Sequence, residues 1–176
     1  MSTVAEASPR WRVHLGTASS TCVRLRLPTR DDHAPWPLSR VVAELQAMGC
    51  ARDDRPHALG AGRGMPLIHR QALRWRDMPL HLESHHVGGR DEVSLELPSG
   101  DELIDLIDED ALWDMVDRVA AACDASHGAV GDGEALEDGP PALRRHVGVL
   151  IPAHTLEVRA SPYTQLPMSG LAVLLR

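Results

Sequence analysis

Val23-Arg24-Leu25-Arg26-Leu27-Pro28 alternates apolar and polar side chains and stops at a proline, and the phrase returns as Val93-Ser94-Leu95-Glu96-Leu97-Pro98. Alternation with period two marks a strand with one buried face, and a proline ends the ladder because it has no N–H to donate. After each copy comes a polar connection and then a stretch with helical spacing that closes at a glycine. In the first half Pro37 suits the opening turn, and Leu38, Val41, Val42, Leu45 and Met48 make one apolar stripe before Gly49. In the second half Leu112, Met115, Val116, Val119, Ala122 and Cys123 make the stripe. Asp108 or Asp110 stands where it can cap the start, and the end is expected at Ser126-His127-Gly128.

Two such β-then-α halves predict an α+β fold. We expect a mostly antiparallel sheet of about six to eight strands with two main helices on one face, arranged as two ferredoxin-like βα halves. Around this frame, Trp11, Val13 and Leu15 read as a first strand, forming a hairpin with the strand at 22–27. Leu73 and Trp75, then Leu80 and Leu82, read as two strands about an Asp77-Met78-Pro79 turn. His85 to Gly89 reads as a turn, and Leu103, Ile104, Leu106 and Ile107 as a short helical turn docked on the core. Val147, Val149 and Ile151 alternate, as do Leu156 and Val158. Leu171 to Leu175 is an apolar run suited to the interior of a sheet.

The chain's 176 residues suffice for one well-filled core, so residues 10–176 are expected to form a single domain behind a loose leader at 1–9. There are four Trp, one Tyr and no Phe, which leaves the core to aliphatic residues and Met. All 18 basic residues are Arg, and they are unevenly placed. Residues 1–90 hold 13 Arg against 8 acids, a balance of +5, and residues 91–176 hold 5 Arg against 17 acids, a balance of -12. An acidic field repels nucleic acid and anionic lipid and steers a basic protein partner into contact. No apolar run is long enough for a membrane span, and residues 1–20 lack the apolar core of an export signal. Cys22, Cys50 and Cys123 are odd in number and far apart, which argues against a disulfide framework. A cytoplasmic protein is expected.

Motifs for chemistry are sparse. His81, Glu83, His85 and His86 form the densest candidate metal cluster: His81 and His85 share a face on a helix, and on a strand Glu83 joins them. No fourth ligand is assigned, so no metal or cofactor is expected. The glycines of His127-Gly128-Ala129-Val130-Gly131-Asp132-Gly133 follow a helix instead of leading into one and lack a Lys-Ser/Thr, so a phosphate loop is excluded in favour of a short strand and an acidic turn. The loop Arg159 to Gly170 holds the single tyrosine, Tyr163, and with Arg159 offers residue types favoured at interface hot spots. With the acids Asp110, Asp114, Asp117 and Glu134, these two make a candidate partner-binding set.

The acidic balance, the strand followed by the helix Leu112 to Cys123, the turn His127-Gly128 and the lack of a catalytic signature resemble small acidic bacterial immunity proteins of polymorphic toxin systems. They are similar also to uncharacterised one-domain bacterial proteins. The immunity resemblance implies an acidic domain that docks on a basic toxin and blocks it. The expected function is therefore protein interaction with a basic partner, not catalysis. The alternative is a small metal- or ligand-binding enzyme with a pocket between the second main helix and His81, His85 and His86.

Overall fold

The computed structural model describes residues 20–28, 38–53, 68–87, 90–107, 109–132, 146–152, 164–167 and 171–175. In chain order the elements are β1 Thr21–Arg26, α1 Leu38–Ala47, β2 Ala51–Arg52, β3 Ile68–Trp75, β4 Met78–Val87 and β5 Arg90–Leu97. There follow α2 Gly100–Leu106, α3 Glu109–Ala122, β6 His127–Asp132, β7 His146–Pro152, β8 Thr164–Pro167 and β9 Leu171–Leu175. The nine strands form one sheet in the order β2-β3-β4-β5-β1-β6-β7-β9-β8, every pair antiparallel. The sheet thus exceeds the expected six to eight strands.

The repeated phrase pairs with itself. β1 and β5 lie side by side with Val23 opposite Leu95 and Leu25 opposite Val93. Residues directly opposite share a face, so the apolar positions of both copies form one buried patch at the centre of the sheet. β6 flanks β1 on its other side, and β5 and β6 therefore run parallel to each other, joined by a helical crossover that straddles β1. β1 and β2 are likewise parallel, joined through α1. A plain ferredoxin-like order would set one strand between β1 and β2; here β5, β4 and β3 all stand there.

The helices cover one face. Val41, Val42 and Leu45 of α1, Leu103 of α2, and Leu112, Met115, Val116 and Val119 of α3 share a single core with Val23, Leu25, Leu80, Leu82, Val93 and Leu95. At about 1.5–3 kcal/mol for each fully buried large apolar side chain, the stripe of α3 is a principal anchor of the sheet. Arg40 ties the two long helices together by donating from Nη2 to the Ala122 carbonyl at the end of α3 and to Asp124 Oδ2, 3.1 Å away. A cation there also opposes the negative end of the α3 dipole.

Both long helices close in the same way. Gly49 has φ +90°, the Gly49 N–H bonds the Gln46 carbonyl and the Cys50 N–H reaches back to Leu45. After α3, Asp124 takes the left-handed position at φ +52°, with its N–H on Ala121 and the Ala125 N–H on Ala120. The expected stop at Gly128 is therefore corrected to Ala122. Asp tolerates the left-handed region, so no glycine is needed there. His127-Gly128 instead opens β6. Gly128 is required by proximity: a Cβ at this position would lie 2.5 Å from the Arg24 carbonyl oxygen and 2.8 Å from Leu25 Cδ2.

Two further expectations change. The hairpin of β3 and β4 turns at Arg76 and Asp77, with φ 48° and 68°, and Met78 and Pro79 already belong to β4. His85 and His86 lie within β4, which continues to Val87. The expected strands at 11–15 and 156–158 and the leader 1–9 lie outside the described residues.

Candidate functional site: the sheet face opposite the helices

Strand alternation puts every second residue of the central strands on the face away from α1 and α3, and no described helix covers that face. Register aligns its residues into rows. Arg70, Glu83, Ser94 and Arg24 form one row across β3, β4, β5 and β1. The next row runs His85, Glu92, Arg26 and His127, and on the other side runs His81, Glu96 and Cys22.

Glu92 is the hub. Arg24 Nε lies 3.0 Å from its Oε1 and Arg26 Nε 3.2 Å from its Oε2, so two residues of one strand grip both oxygens of one carboxylate. His85 Nε2 is 4.0 Å from Oε1 and 3.4 Å from the Ser94 hydroxyl. Arg70 pairs with Glu83, and His81 Nδ1 stands 4.0 Å from Glu96 Oε2. The Glu92 side chain is 12% exposed and that of Glu83 14%, against 51% for Glu96. Each of the two inner carboxylates thus faces at least one guanidinium. At the end of the second row the Ser126 hydroxyl donates to the Arg26 carbonyl and stands 2.9 Å from His127 Nδ1, which holds the imidazole against the strand end.

Cys22 sits among these charges, buried with Ala129. Burial pushes its thiol up to about 11, Arg24 opposing and Glu96, Glu92 and Glu83 adding to the rise. Cys50, on the helix side, is likewise pushed up to about 11 by burial. Protonated thiols of this kind are poor nucleophiles. Cys123, the last residue of the apolar stripe, is fully buried in the core.

The structure keeps His81, Glu83 and His85 on one face of β4, as expected for a strand, but away from the second main helix. His81 and His85 project from the face opposite α3, because the intervening Leu82 lies in the helix-side core; the expected pocket between that helix and the histidines does not form. His86 occupies the alternate register position, opposite Asp91. Among the described residues no three His, Cys, Asp or Glu side chains converge to hold a metal ion. Asp110 and Asp114 are exposed on α3, Asp114 within reach of Arg118 at 3.4 Å, whereas Asp117 is half-buried. Arg159, Tyr163 and Glu134 lie outside the described residues.

Sequence reasoning missed Arg24, Arg26 and Glu92. The signal was present in the alternation itself, which sets Arg24 and Arg26 on the polar side of the repeated phrase. What it lacked was the pairing of β1 with β5 that brings Glu92 opposite Arg26.

No family model and no curated protein matches the chain. Among solved structures it is similar to the Pseudomonas aeruginosa T6SS protein PA0821, at 10% identity and a TM-score of 0.47, over 97% of this chain and 74% of that one. No described helix is long and apolar enough to cross a membrane.

Proposed function

We propose that this chain is a cytoplasmic protein-interaction domain that docks a basic protein partner, in the manner by which an immunity protein blocks its toxin. One observation supports the reading above others: Asp101, Glu102 and Asp105 of α2 and Asp110 of α3 are all exposed and form no ion pair with any described residue. Their negative field is left for solvent or for a partner. Arg40 and Arg118, the described arginines of the two long helices, are occupied by Asp124, Asp114 and Glu44 and do not offset it. In this reading Asp114 and Asp117 of α3 add to the acidic field, and Glu134, Arg159 and Tyr163 take part in partner contact.

Acids early in a helix also favour its positive end, which gives Asp101, Glu102 and Asp110 a structural use. The two roles separate in experiment. Steering by exposed charge acts over about a Debye length and weakens with salt, whereas dipole stabilisation stays within the chain. In a tagged pull-down from native cytosol, one stoichiometric basic partner is expected at low salt and its release at high salt. The Asp101→Asn, Asp105→Asn, Asp110→Asn triple variant is expected to lose that partner while keeping a cooperative melt. A partner retained at high salt, or bound equally by the triple variant, would overturn the reading.

A further inference from the structure

On the face opposite the helices, small residues gather at one place. Cys22 of β1 stands opposite Gly131 of β6, and Ala129 lies one row further along β6, opposite Arg24. Cys22 is 6% exposed and Ala129 5%, and Gly131 is buried with them. Small neighbours cannot hide one another from water, as long side chains can. Arg24, the long neighbour of Ala129, reaches the other way, to Glu92 on β5, and Glu96 beside Cys22 is itself half-exposed. No described helix or strand lies over this face, so another part of the same chain covers the hollow.

We infer that residues 10–19 form a strap across this face, with Trp11, Val13 and Leu15 as its apolar contacts. Connectivity selects them, because they join β1 at Ser20, next to the hollow. Both edges of β1 are taken, by β5 and by β6, so the segment cannot pair with β1 as a hairpin and meets it over a face. The helix-side face is already filled, since Val23, Leu25 and Leu27 of β1 belong to the core shared with the helices. The opposite face is what remains. Shape agrees, because a hollow of small residues takes a large apolar side chain to reach the density of a protein interior. Charge agrees as well. Arg10 and Arg12 come to a rim that carries Glu83 and Glu96, whereas the β6–β7 connection would set Glu134, Glu137 and Asp138 against those acids. Reach suffices: at about 3.3 Å per residue the segment extends to roughly 30 Å, and the strands from β6 to β3 span about 19 Å. The strap closes this side of the sheet to partners, and Cys22 beneath it is its reporter.

The test is thiol labelling of the full chain with N-ethylmaleimide, followed cysteine by cysteine by peptide mass spectrometry. Cys22 lies under the strap, while Cys50 and Cys123 are buried in the helix-side core and report unfolding of the whole. Trp11→Ala is expected to speed the labelling of Cys22 by at least about tenfold and to leave Cys50 and Cys123 at the parent rate, since a local opening exposes only what it uncovers. Where that variant unfolds and all three thiols react together, the milder Val13→Ala carries the same reading. Leu136→Ala, in the β6–β7 connection, is the control and is expected to leave Cys22 as protected as in the parent. A Cys22 that stays protected in both strap variants, or that is released by Leu136→Ala instead, would overturn the inference. Neither result touches the proposed docking of a basic partner, which uses the helix side of the molecule.

Discussion

At the scale of single residues, the fold turns on a few positions where backbone comes close to backbone. Gly128 faces Leu25 across the β1–β6 ladder. A methyl group there would press on the Arg24 carbonyl, which cannot yield without moving the central strand. Gly128→Ala is therefore expected to destabilise the protein by about 1–3 kcal/mol, the usual cost of forcing an extra carbon into a packed interior. Urea unfolding checks this, and a change below the error of that measurement would show that β1 and β6 can part at little cost. Gly49 answers a different need. Nothing lies within 4 Å of the position a Cβ would take, so its φ of +90° alone calls for glycine.

At the scale of elements, the β3–β4 hairpin carries visible strain. A two-residue turn with positive φ at both centres suits Asn-Gly or Asp-Gly, and here the pair is Arg76-Asp77. Arg74 Nη2 donates to the Asp77 carbonyl, and the Arg76 guanidinium lies 5.4 Å from the centre of the Trp75 ring. Both contacts survive Asp77→Gly, because one uses the backbone and the other a different residue. That variant is expected to be more stable than the parent by about 0.5–1 kcal/mol, read from the denaturation midpoint. A loss of stability would mean that the Asp77 side chain contributes more than its strain costs. Among the described residues the edge strands are short: β2 contributes two exposed residues and β8 four ending in proline, a form that discourages edge-to-edge pairing.

At the scale of the whole molecule, two distributions matter: buried thiols and surface charge. Cys22 and Cys50 hold their protons to about pH 11 in the folded chain, while thiols in the unfolded chain lose them near the ordinary value of 9.0. Between those limits the unfolded state binds fewer protons than the native state, so stability falls as pH rises and is unaffected below pH 9. A decline of roughly 1–3 kcal/mol per thiol is expected from pH 9 to 11. Cys50→Ala should flatten its share of the slope, and an unchanged slope in that variant would assign the decline to other groups. The surface divides into two sides. The helix side presents unpaired acids, and the opposite face presents arginines and glutamates that neutralise one another.

The sequence by itself determined what depends on near neighbours along the chain. The period-two phrase at 23–28 and 93–98, the helical stripes of α1 and α3, the glycine stop at Gly49 and the helices' position on one face were all legible, because each follows from local spacing and from the need to bury a single apolar side. A short strand after the second main helix was legible as well, but its start at His127 was not, because Ser126-His127-Gly128 reads as the helix stop. Contact between distant segments belonged to the tertiary structure. That the two copies of the phrase pair with each other, that three strands intervene between β1 and β2, and that Glu92 is held by Arg24 and Arg26 all depend on register between strands some seventy residues apart. The same cause set His81, Glu83 and His85 together on the face away from α3. One residue of alternation turns Leu82 into the core and His81 and His85 away from α3, and only the packing of α3 on the Leu82 side decides which face is closed.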